Sequence, residues 1–147
     1  YGIDRSKAVI SKNKKRYKKI KDKFINKNFC TFFNKKINKN FSVYSRFTLH
    51  SINYKDEDKL FKSLQKQNNL VNLFIETRTL KDNLYGVGKK VGKHEYISSH
   101  YRRFIDPKVI KKKLKKVFTI VYFKQGINFA KYKKENPWVL RIIAKKK

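Results

Sequence analysis

The sequence predicts a mainly helical fold with a small β component (α+β), built as one small compact domain with long basic extensions. A chain of 147 residues is long enough for one domain with a modest core. Several segments carry apolar residues at helical spacing, while only one shows a strict alternation typical of a strand. The chain is 39% hydrophobic and 15% aromatic, which favours a folded core over disorder despite the high charge.

The first predicted helix runs from Asp4 to about Ile20. Asp4 is a suitable N-cap, and Ala8 to Ile10 supply apolar positions before the stretch becomes basic. The stretch Lys21 to Asn40 alternates Lys and Asn with Phe and Ile and has no sustained period. We therefore predict that residues 21–53 are an insertion or extension that wraps a partner.

A strand and two helices are predicted in the middle of the chain. Phe41 to Ile52 is predicted as a strand because its apolar residues share one parity. Asp56 to Asp58 bring negative charge to the start of the next helix, where the helix dipole favours it. Leu70 to Leu80 has apolar residues at spacings that predict a further helix.

The last third of the chain is predicted to contain a basic loop, a helix and a basic tail. Glycines punctuate the loop Leu84 to His94, and Asp106-Pro107 predicts a helix that runs to about Lys116. The apolar run Val117 to Phe123 continues that helix or forms a strand, since short runs cannot be resolved by pattern. Residues 124–147 are predicted as a basic C-terminal extension of the single domain.

The charge of the chain predicts a polyanionic partner. It has 40 Lys and Arg against 10 Asp and Glu, a formal net charge of +30, and such an excess repels itself in the compact state. RNA phosphates relieve this repulsion, and the basic extensions are expected to order on RNA. Arginine pairs in a bidentate way with phosphate, which singles out Arg102 and Arg103. The predicted RNA-binding residues are Arg5, Lys7, Lys14, Lys15, Arg16, Lys18, Lys19, Lys89, Lys90, Lys93, Arg102, Arg103, Lys111, Lys112, Lys113, Lys115 and Lys116.

The glycines and the aromatic residues each leave two interpretations open. Gly86, Gly88 and Gly92 do not fit a nucleotide-binding fingerprint, but they allow the backbone to approach phosphates. The same glycines are also typical of an ordinary flexible turn. The aromatic rings among Lys and Asn either stack on unpaired bases or pack in the core. These rings are Tyr17, Phe24, Phe29, Phe32, Phe33 and Phe41.

No residue pattern indicates catalysis. His50, His94 and His100 lack a nearby carboxylate and nucleophile, and the few acids do not form a nuclease-like metal site. Cys30 is the only cysteine, so the chain has no internal disulfide and no metal signature. No apolar run reaches the about 18 residues of a membrane span. We predict a non-enzymatic protein with no cofactor, metal, membrane span or small-molecule substrate; an RNA-processing enzyme is a less favoured alternative.

The opening residues Tyr1 to Ala8 (Tyr-Gly-Ile-Asp-Arg-Ser-Lys-Ala) resemble the Tyr-Gly-Ile-Gly-x-x-x-Ala segment of small-subunit ribosomal protein S-thirteen. The acidic helix start and the later basic Gly loop follow in the same order as in that family. Asp4 departs from the family's glycine, and the family's Arg-Gly-Gln-Arg-Thr signature is absent. The resemblance implies a mostly helical protein of the small subunit whose Arg5, Lys7 and 89–93 loop contact ribosomal RNA.

These observations together predict a structural constituent of the ribosome, held in a ribonucleoprotein by ribosomal RNA and neighbouring ribosomal proteins. Lys, Asn, Ile, Phe and Tyr dominate the composition, and their A/T-rich codons favour an organelle-encoded protein of the mitochondrion that serves translation there. The alternative is a DNA-binding architectural protein of an organelle. Its many Phe and Tyr residues fit RNA loops better than duplex wrapping.

Overall fold

The computed structural model describes residues 1–147, and its framework is two pairs of parallel strands, each joined through a helix. The first unit comprises β1 (Gly2–Asp4), α1 (Lys7–Arg16) and β2 (Phe24–Asn26), with a 3₁₀ helix over Lys18–Lys23. A short helix α2 (Phe29–Phe32) leads to the second unit, which comprises β3 (Phe41–Arg46), α3 (Tyr54–Gln65) and β4 (Leu70–Arg78). Two βαβ units in sequence are typical of α/β proteins.

The main sheet has four strands in the order β3-β4-β9-β8. β8 (Phe118–Gly126) and β9 (Val139–Lys146) follow α4 (Pro107–Lys115), and β9 is inserted antiparallel between β4 and β8. A separate antiparallel sheet of β5 (Lys89–Gly92), β6 (Glu95–Ile97) and β7 (Tyr101–Arg103) lies in the chain between β4 and α4. This small sheet carries the residues that close over one end of the main sheet.

The core lies between one face of the main sheet and the helices α2, α3 and α4. Alternate residues of the central strands point into it, for example Leu73 of β4 and Ile142 of β9, each 1% exposed. Leu64 of α3 and Leu114 of α4 pack against them from above. The opposite face of the sheet is more open, since Tyr44 of β3 is 67% exposed.

The predicted fold class is wrong, because the protein is an α/β fold rather than mainly α. The largest single error is Leu70 to Leu80, which forms the strand β4 instead of a helix. β4 is hydrogen-bonded on both edges, to β3 and to β9, so long-range pairing overrides the helical spacing of its apolar residues. The open question over Val117 to Phe123 is resolved as strand β8.

Several element boundaries also differ from the prediction. The first helix is capped by Ser6, whose hydroxyl accepts from Val9 N at 3.2 Å, and it ends at Arg16. The strand predicted over Phe41 to Ile52 ends at Arg46 because Phe47 has a left-handed backbone with φ of 54°. The acidic start of α3 and the Asp106 cap of α4 are confirmed.

The predicted long basic extensions contribute instead to the folded core. Residues 21–53 contain β2, α2 and β3, and the Cys30 side chain there is fully buried. Residues 124–147 contain β9, in which Val139 and Leu140 are fully buried between β4 and β8. No helix combines the length and apolar character required to cross a membrane.

Candidate active site

The candidate switch point lies between the two parallel strand pairs. β1 pairs only with β2, and β3 pairs only with β4, so each of these first strands keeps one free edge. A cavity of about 140 Å³ between them is lined by Ile3 of β1 and Val43 of β3, so the two strands face each other. In open α/β sheets, ligands bind beyond the carboxyl ends of the strands at such a switch point. This end of the sheet is therefore the candidate site.

Asp4 stands at the carboxyl end of β1, on one side of the switch point. Its Oδ1 accepts from Ser6 N at 2.7 Å, whereas Oδ2 makes no hydrogen bond in the structure. Asn26 Nδ2, at the end of β2, donates to the carbonyl oxygens of Asp4 (3.0 Å) and Arg5 (2.9 Å) and so fixes this loop. A carboxylate in this place can accept hydrogen bonds from ribose hydroxyls, as in other doubly wound folds.

A cavity of about 380 Å³, which we call the basic pocket, lies at the carboxyl ends of β3 and β4. Its walls come from the two strand ends, the 3₁₀ turn after β3, the β6–β7 hairpin and the loop between β8 and β9. The lining residues are Arg46, Phe47, His50, Arg78, His100, Arg102, Ala130, Tyr132, Glu135 and Pro137. A larger cavity of about 570 Å³ beside β2 and α2 is lined by no arginine or histidine.

Phe47 occupies a strained position at the centre of the basic pocket. A φ of 54° is rare for a bulky side chain and costs roughly 1–3 kcal/mol. Phe47 N donates to Glu76 O at 2.8 Å, and the Phe47 ring lies 4.9 Å from the Arg46 guanidinium and 5.9 Å from that of Arg78. The edge of the ring contacts His50 with centroids 5.4 Å apart. Strain of this kind is concentrated at functional sites.

The three arginines of the basic pocket differ in how far their charges are neutralised. Arg78 is 9% exposed; its Nη1 donates to both oxygens of Asp82 at 3.1 Å and its Nη2 to Glu135 at 2.5 Å. Arg46 donates through Nε to Glu76 at 3.0 Å. Arg102 donates only to Ser98 Oγ, at 3.0 Å, and has no carboxylate partner. The pocket thus keeps guanidinium donors that its own acids do not use.

Both histidines of the basic pocket have lowered pKa values, and burial is the largest cause for each. Burial and the nearby charges of Arg78 and Arg102 lower the pKa of His50 to about 3, so its ring is neutral at pH 7. His50 Nδ1 is buried and has no hydrogen-bond partner. The pKa of His100 is lowered as well, by burial and then by Arg102 and Arg78. His100 Nδ1 lies 3.0 Å from Ser99 Oγ and shares a hydrogen bond with it.

Of the predicted RNA-binding residues, Arg102 is the one that lines the basic pocket. Its neighbour Arg103 is 2% exposed, and it donates to Ile52 O at 2.8 Å and to Glu57 at 2.5 Å. Lys113 also contacts Glu57, and it donates to Asp58 at 2.7 Å. The other predicted residues are exposed on separate elements, namely Arg5, Lys7, Lys14, Lys15, Arg16, Lys18, Lys19, Lys89, Lys90, Lys93, Lys111, Lys112, Lys115 and Lys116.

The glycine loop is shaped by contacts within the small sheet. Gly86 and Gly88 have φ of 85° and 94°. A Cβ on Gly88 would lie 2.8 Å from the Ile97 carbonyl carbon, and one on Gly92 would lie 3.0 Å from Glu95 Cδ. Gly88 and Gly92 therefore permit close packing against β6, whereas Gly86 is needed only for its left-handed backbone. Among the aromatic residues, Tyr17 stacks on Phe24, and Phe33 stacks on Phe41 in the core.

Most residues of the candidate site were missed by the sequence analysis. Asp4 was interpreted as a helix cap, and His50 and His100 were dismissed as candidates for catalysis. Arg46 and Arg78 each end a strand of the parallel pair β3 and β4, a position that is informative once the strands are recognised. That signal was lost because β4 was predicted as a helix.

No protein-family model and no curated protein sequence matches the chain. Solved structures match it over nearly its whole length. The PH0226 protein from Pyrococcus horikoshii OT3 has a TM-score of 0.69 and 14% identity, covering 99% of this chain and 70% of that one. An S-adenosylmethionine-dependent methyltransferase from Clostridium acetobutylicum ATCC 824 has a TM-score of 0.66 and 16% identity, covering 97% and 73%. The glycopeptide N-methyltransferase MtfA complexed with S-adenosyl-L-homocysteine has a TM-score of 0.66 and 13% identity, covering 99% and 72%.

This is the fold of S-adenosylmethionine-dependent methyltransferases. The match corrects the resemblance to ribosomal protein S-thirteen, which depended on eight residues that form β1, its loop and the start of α1. It also contradicts the predicted structural role in the ribosome, with ribosomal RNA and ribosomal proteins as partners, and the DNA-binding alternative. The predictions of no enzymatic activity and no small-molecule substrate are contradicted for the same reason, since proteins of this fold include methyltransferases. The mitochondrial location stays a prediction.

Proposed function

We propose that this chain takes part in methyl transfer from S-adenosylmethionine to an acceptor bound in the basic pocket. The observation that carries the proposal is the position of the site. Asp4 and the basic pocket both lie beyond the carboxyl ends of parallel strands, beside the switch point of a methyltransferase fold. The chain spans about 70% of the length of the structures it matches, so the activity of a whole methyltransferase is part of the proposal.

The residues at the end of β1 fit the nucleoside part of S-adenosylmethionine. Asp4 Oδ2 is free to accept from ribose hydroxyls while Oδ1 is held by Ser6 N. The Phe29 ring lies next to this loop, 5.4 Å from the Arg5 guanidinium, and supplies a partly buried apolar surface. When bound, S-adenosylmethionine supplies a methyl group on a positively charged sulfur for attack by a nucleophilic atom of the acceptor.

The basic pocket gives this chain the means to orient an acceptor. The β6–β7 hairpin and the loop between β8 and β9 form two sides of the pocket. Arg78 is hydrogen-bonded to the segment after β7 and to the loop between β8 and β9. Its carbonyl accepts from Ile105 N at 3.1 Å just after β7, and its side chain reaches Glu135 in the second loop. An acceptor held here is fixed next to the strand ends, which favours reaction through orientation.

The proposal is tested by calorimetric titration of the full chain with S-adenosylmethionine and S-adenosylhomocysteine. Replacing Asp4 by Asn keeps an oxygen for Ser6 N and removes the charge that ribose hydroxyls would contact. We expect D4N to weaken binding about tenfold or more, the effect of losing a hydrogen bond to a charged group. Asp22, exposed near α1, provides the control D22N with unchanged affinity. Absence of binding at millimolar ligand, or equal affinity of D4N and D22N, would contradict the proposal.

A further inference from the structure

The guanidinium groups of the basic pocket come from three separate elements. Arg46 ends β3, Arg78 ends β4, and Arg102 lies in the middle of β7. The three lie 24 or more positions apart in the sequence, yet all line one cavity of about 380 Å³. A convergence of this kind, in a cavity of small-molecule size, is typical of a binding site rather than of a solvated surface.

Two of these guanidiniums have donors to spare. Arg46 uses only its Nε, for Glu76, and its side chain is 51% exposed. Arg102 uses only one terminal nitrogen, for the neutral hydroxyl of Ser98. Arg46 and Arg102 therefore present unused guanidinium donors to whatever occupies the pocket.

Local charge does not balance inside the chain. Glu76 is shared by Arg46 and Arg141, whose contacts with it are 3.0 Å and 2.6 Å. Asp82 and Glu135 both pair with Arg78. Arg102 has no carboxylate partner. With Arg141 included, four guanidiniums stand against three carboxylates, a local excess of one positive charge. Bringing an anion into the pocket satisfies this charge.

The number and arrangement of the donors match a phosphate better than a carboxylate. One bidentate guanidinium satisfies the two oxygens of a carboxylate. A phosphate monoester carries about −1.5 to −2 charges and three acceptor oxygens, which suit two partly free guanidiniums. The walls formed by the hairpin and by Tyr132 and Pro137 limit the cavity to a small molecule.

We infer that the basic pocket binds the phosphate group of a small phosphorylated molecule, with Arg46 and Arg102 as its principal ligands. This inference names the substrate class of the proposed methyltransferase and so rests on the proposed function. Arg78 positions the pocket, since Asp82 and Glu135 already occupy its terminal nitrogens. Phosphate binding itself requires no methyl donor, so the two proposals can fail separately.

The test is a calorimetric titration of the full chain, without methyl donor, with inorganic phosphate and with glycerol 3-phosphate. R102Q and R46Q are each expected to weaken binding of glycerol 3-phosphate about tenfold or more, because each removes charge-assisted hydrogen bonds. The matched control is R16Q, because Arg16 is exposed at the end of α1, remote in sequence from the pocket residues. Binding to R16Q is expected to change less than about twofold.

Three outcomes would overturn the inference. If R16Q weakened binding as much as R102Q, phosphate would be attracted by the overall charge of the chain. If acetate bound as tightly as glycerol 3-phosphate, the pocket would be a carboxylate site. If a short RNA displaced glycerol 3-phosphate and R102Q did not reduce the affinity for that RNA, the ligand would be a polyanion at another surface. Loss of S-adenosylmethionine binding with intact phosphate binding would contradict only the proposed function.

Discussion

Arg102 and Arg103 are neighbours in the sequence, yet they lie in two regions that differ in how the guanidinium charge is paired. Arg102 has no carboxylate partner, whereas Arg103 is paired with Glu57. Successive side chains of β7 point to opposite sides. Arg102 faces the basic pocket, where it has no carboxylate partner. Arg103 enters a buried ion cluster with Glu57 and Lys113, in which Glu57 is 2% exposed.

The difference between the two regions separates structural charge from functional charge. In the buried ion cluster, Arg103 also donates to the carbonyl oxygens of Ile52 and Leu49 at 2.8 Å and 3.3 Å. Arg103 makes these hydrogen bonds within the fold and is 2% exposed, so burial keeps its guanidinium away from a ligand. In the basic pocket, by contrast, Arg46 and Arg102 keep unused guanidinium donors. The strained backbone of Phe47 forms part of the pocket wall. Unused donors in a cavity indicate a ligand, whereas satisfied ones indicate stability.

The largest expected effect comes from replacing the buried arginine. R103M leaves Glu57 buried without its guanidinium partner, and such losses cost about 3–5 kcal/mol of unfolding free energy. R102M, at the adjacent position, is expected to change stability by about 0.5 kcal/mol or less. Urea denaturation of both variants measures the contrast. Equal destabilisation by R102M and R103M would remove the distinction between the two regions.

The second prediction concerns pH and the buried wall of the basic pocket. His50 has its pKa lowered by burial and nearby guanidiniums to about 3, against 6.5 for the free side chain. Between these pH values, His50 binds a proton in the unfolded chain but not in the folded chain. The free energy of unfolding therefore has its full His50 contribution above pH 6.5 and decreases as the pH falls toward 3. Protonation of His50 in the unfolded chain is expected to lower the free energy of unfolding by about 2 kcal/mol between pH 6.5 and pH 5, at roughly 1.4 kcal/mol per pH unit.

Urea denaturation at pH 7 and pH 5 measures this dependence. H50N is expected to reduce the decrease in stability by the amount assigned to His50. A pH dependence unchanged in H50N would show that another group is responsible.

The smallest expected effect tests the rim of the buried ion cluster. Burial lowers the pKa of Lys113, but its hydrogen bonds to Asp58 and Glu57 and the charges of these two carboxylates outweigh burial, so the pKa is raised. Because its side chain is 28% exposed, K113M is expected to cost only about 1 kcal/mol. K112M, at the exposed preceding position, is expected to be close to neutral in thermal unfolding. A K112M loss as large as that of K113M would mean that Lys113 is an ordinary surface lysine.

The sequence predicted features that depend on neighbours in the chain. The Asp106-Pro107 start of α4 and the acidic start of α3 were correct because capping involves residues two or three positions apart. The strand β4 was missed because its partners β3 and β9 lie far away in the sequence. A single apolar segment does not indicate which strands will pair with it. Because β4 was predicted as a helix, the parallel sheet and the fold class were predicted wrongly as well.

The candidate site could be predicted even less. Its arginines and histidines are contributed by segments near residues 46–50, 78 and 100–102, and no local motif joins them. The net charge of +30 was interpreted as evidence for RNA, but composition does not show which cations are already paired inside the fold. Arg102 and Arg103 illustrate this limit, since only the structure distinguishes the ligand-facing guanidinium from the buried one.

The most direct test of the account is a pair of NMR titrations of the isotope-labelled full chain, one with S-adenosylhomocysteine and one with glycerol 3-phosphate. We expect S-adenosylhomocysteine to shift the amide signals of Asp4 to Ser6 at the end of β1. We expect glycerol 3-phosphate to shift the side-chain signals of Arg46 and Arg102, so that both ligands map to one end of the sheet. Shifts confined to the exposed lysines of α1 and α4, with these residues unchanged, would contradict it.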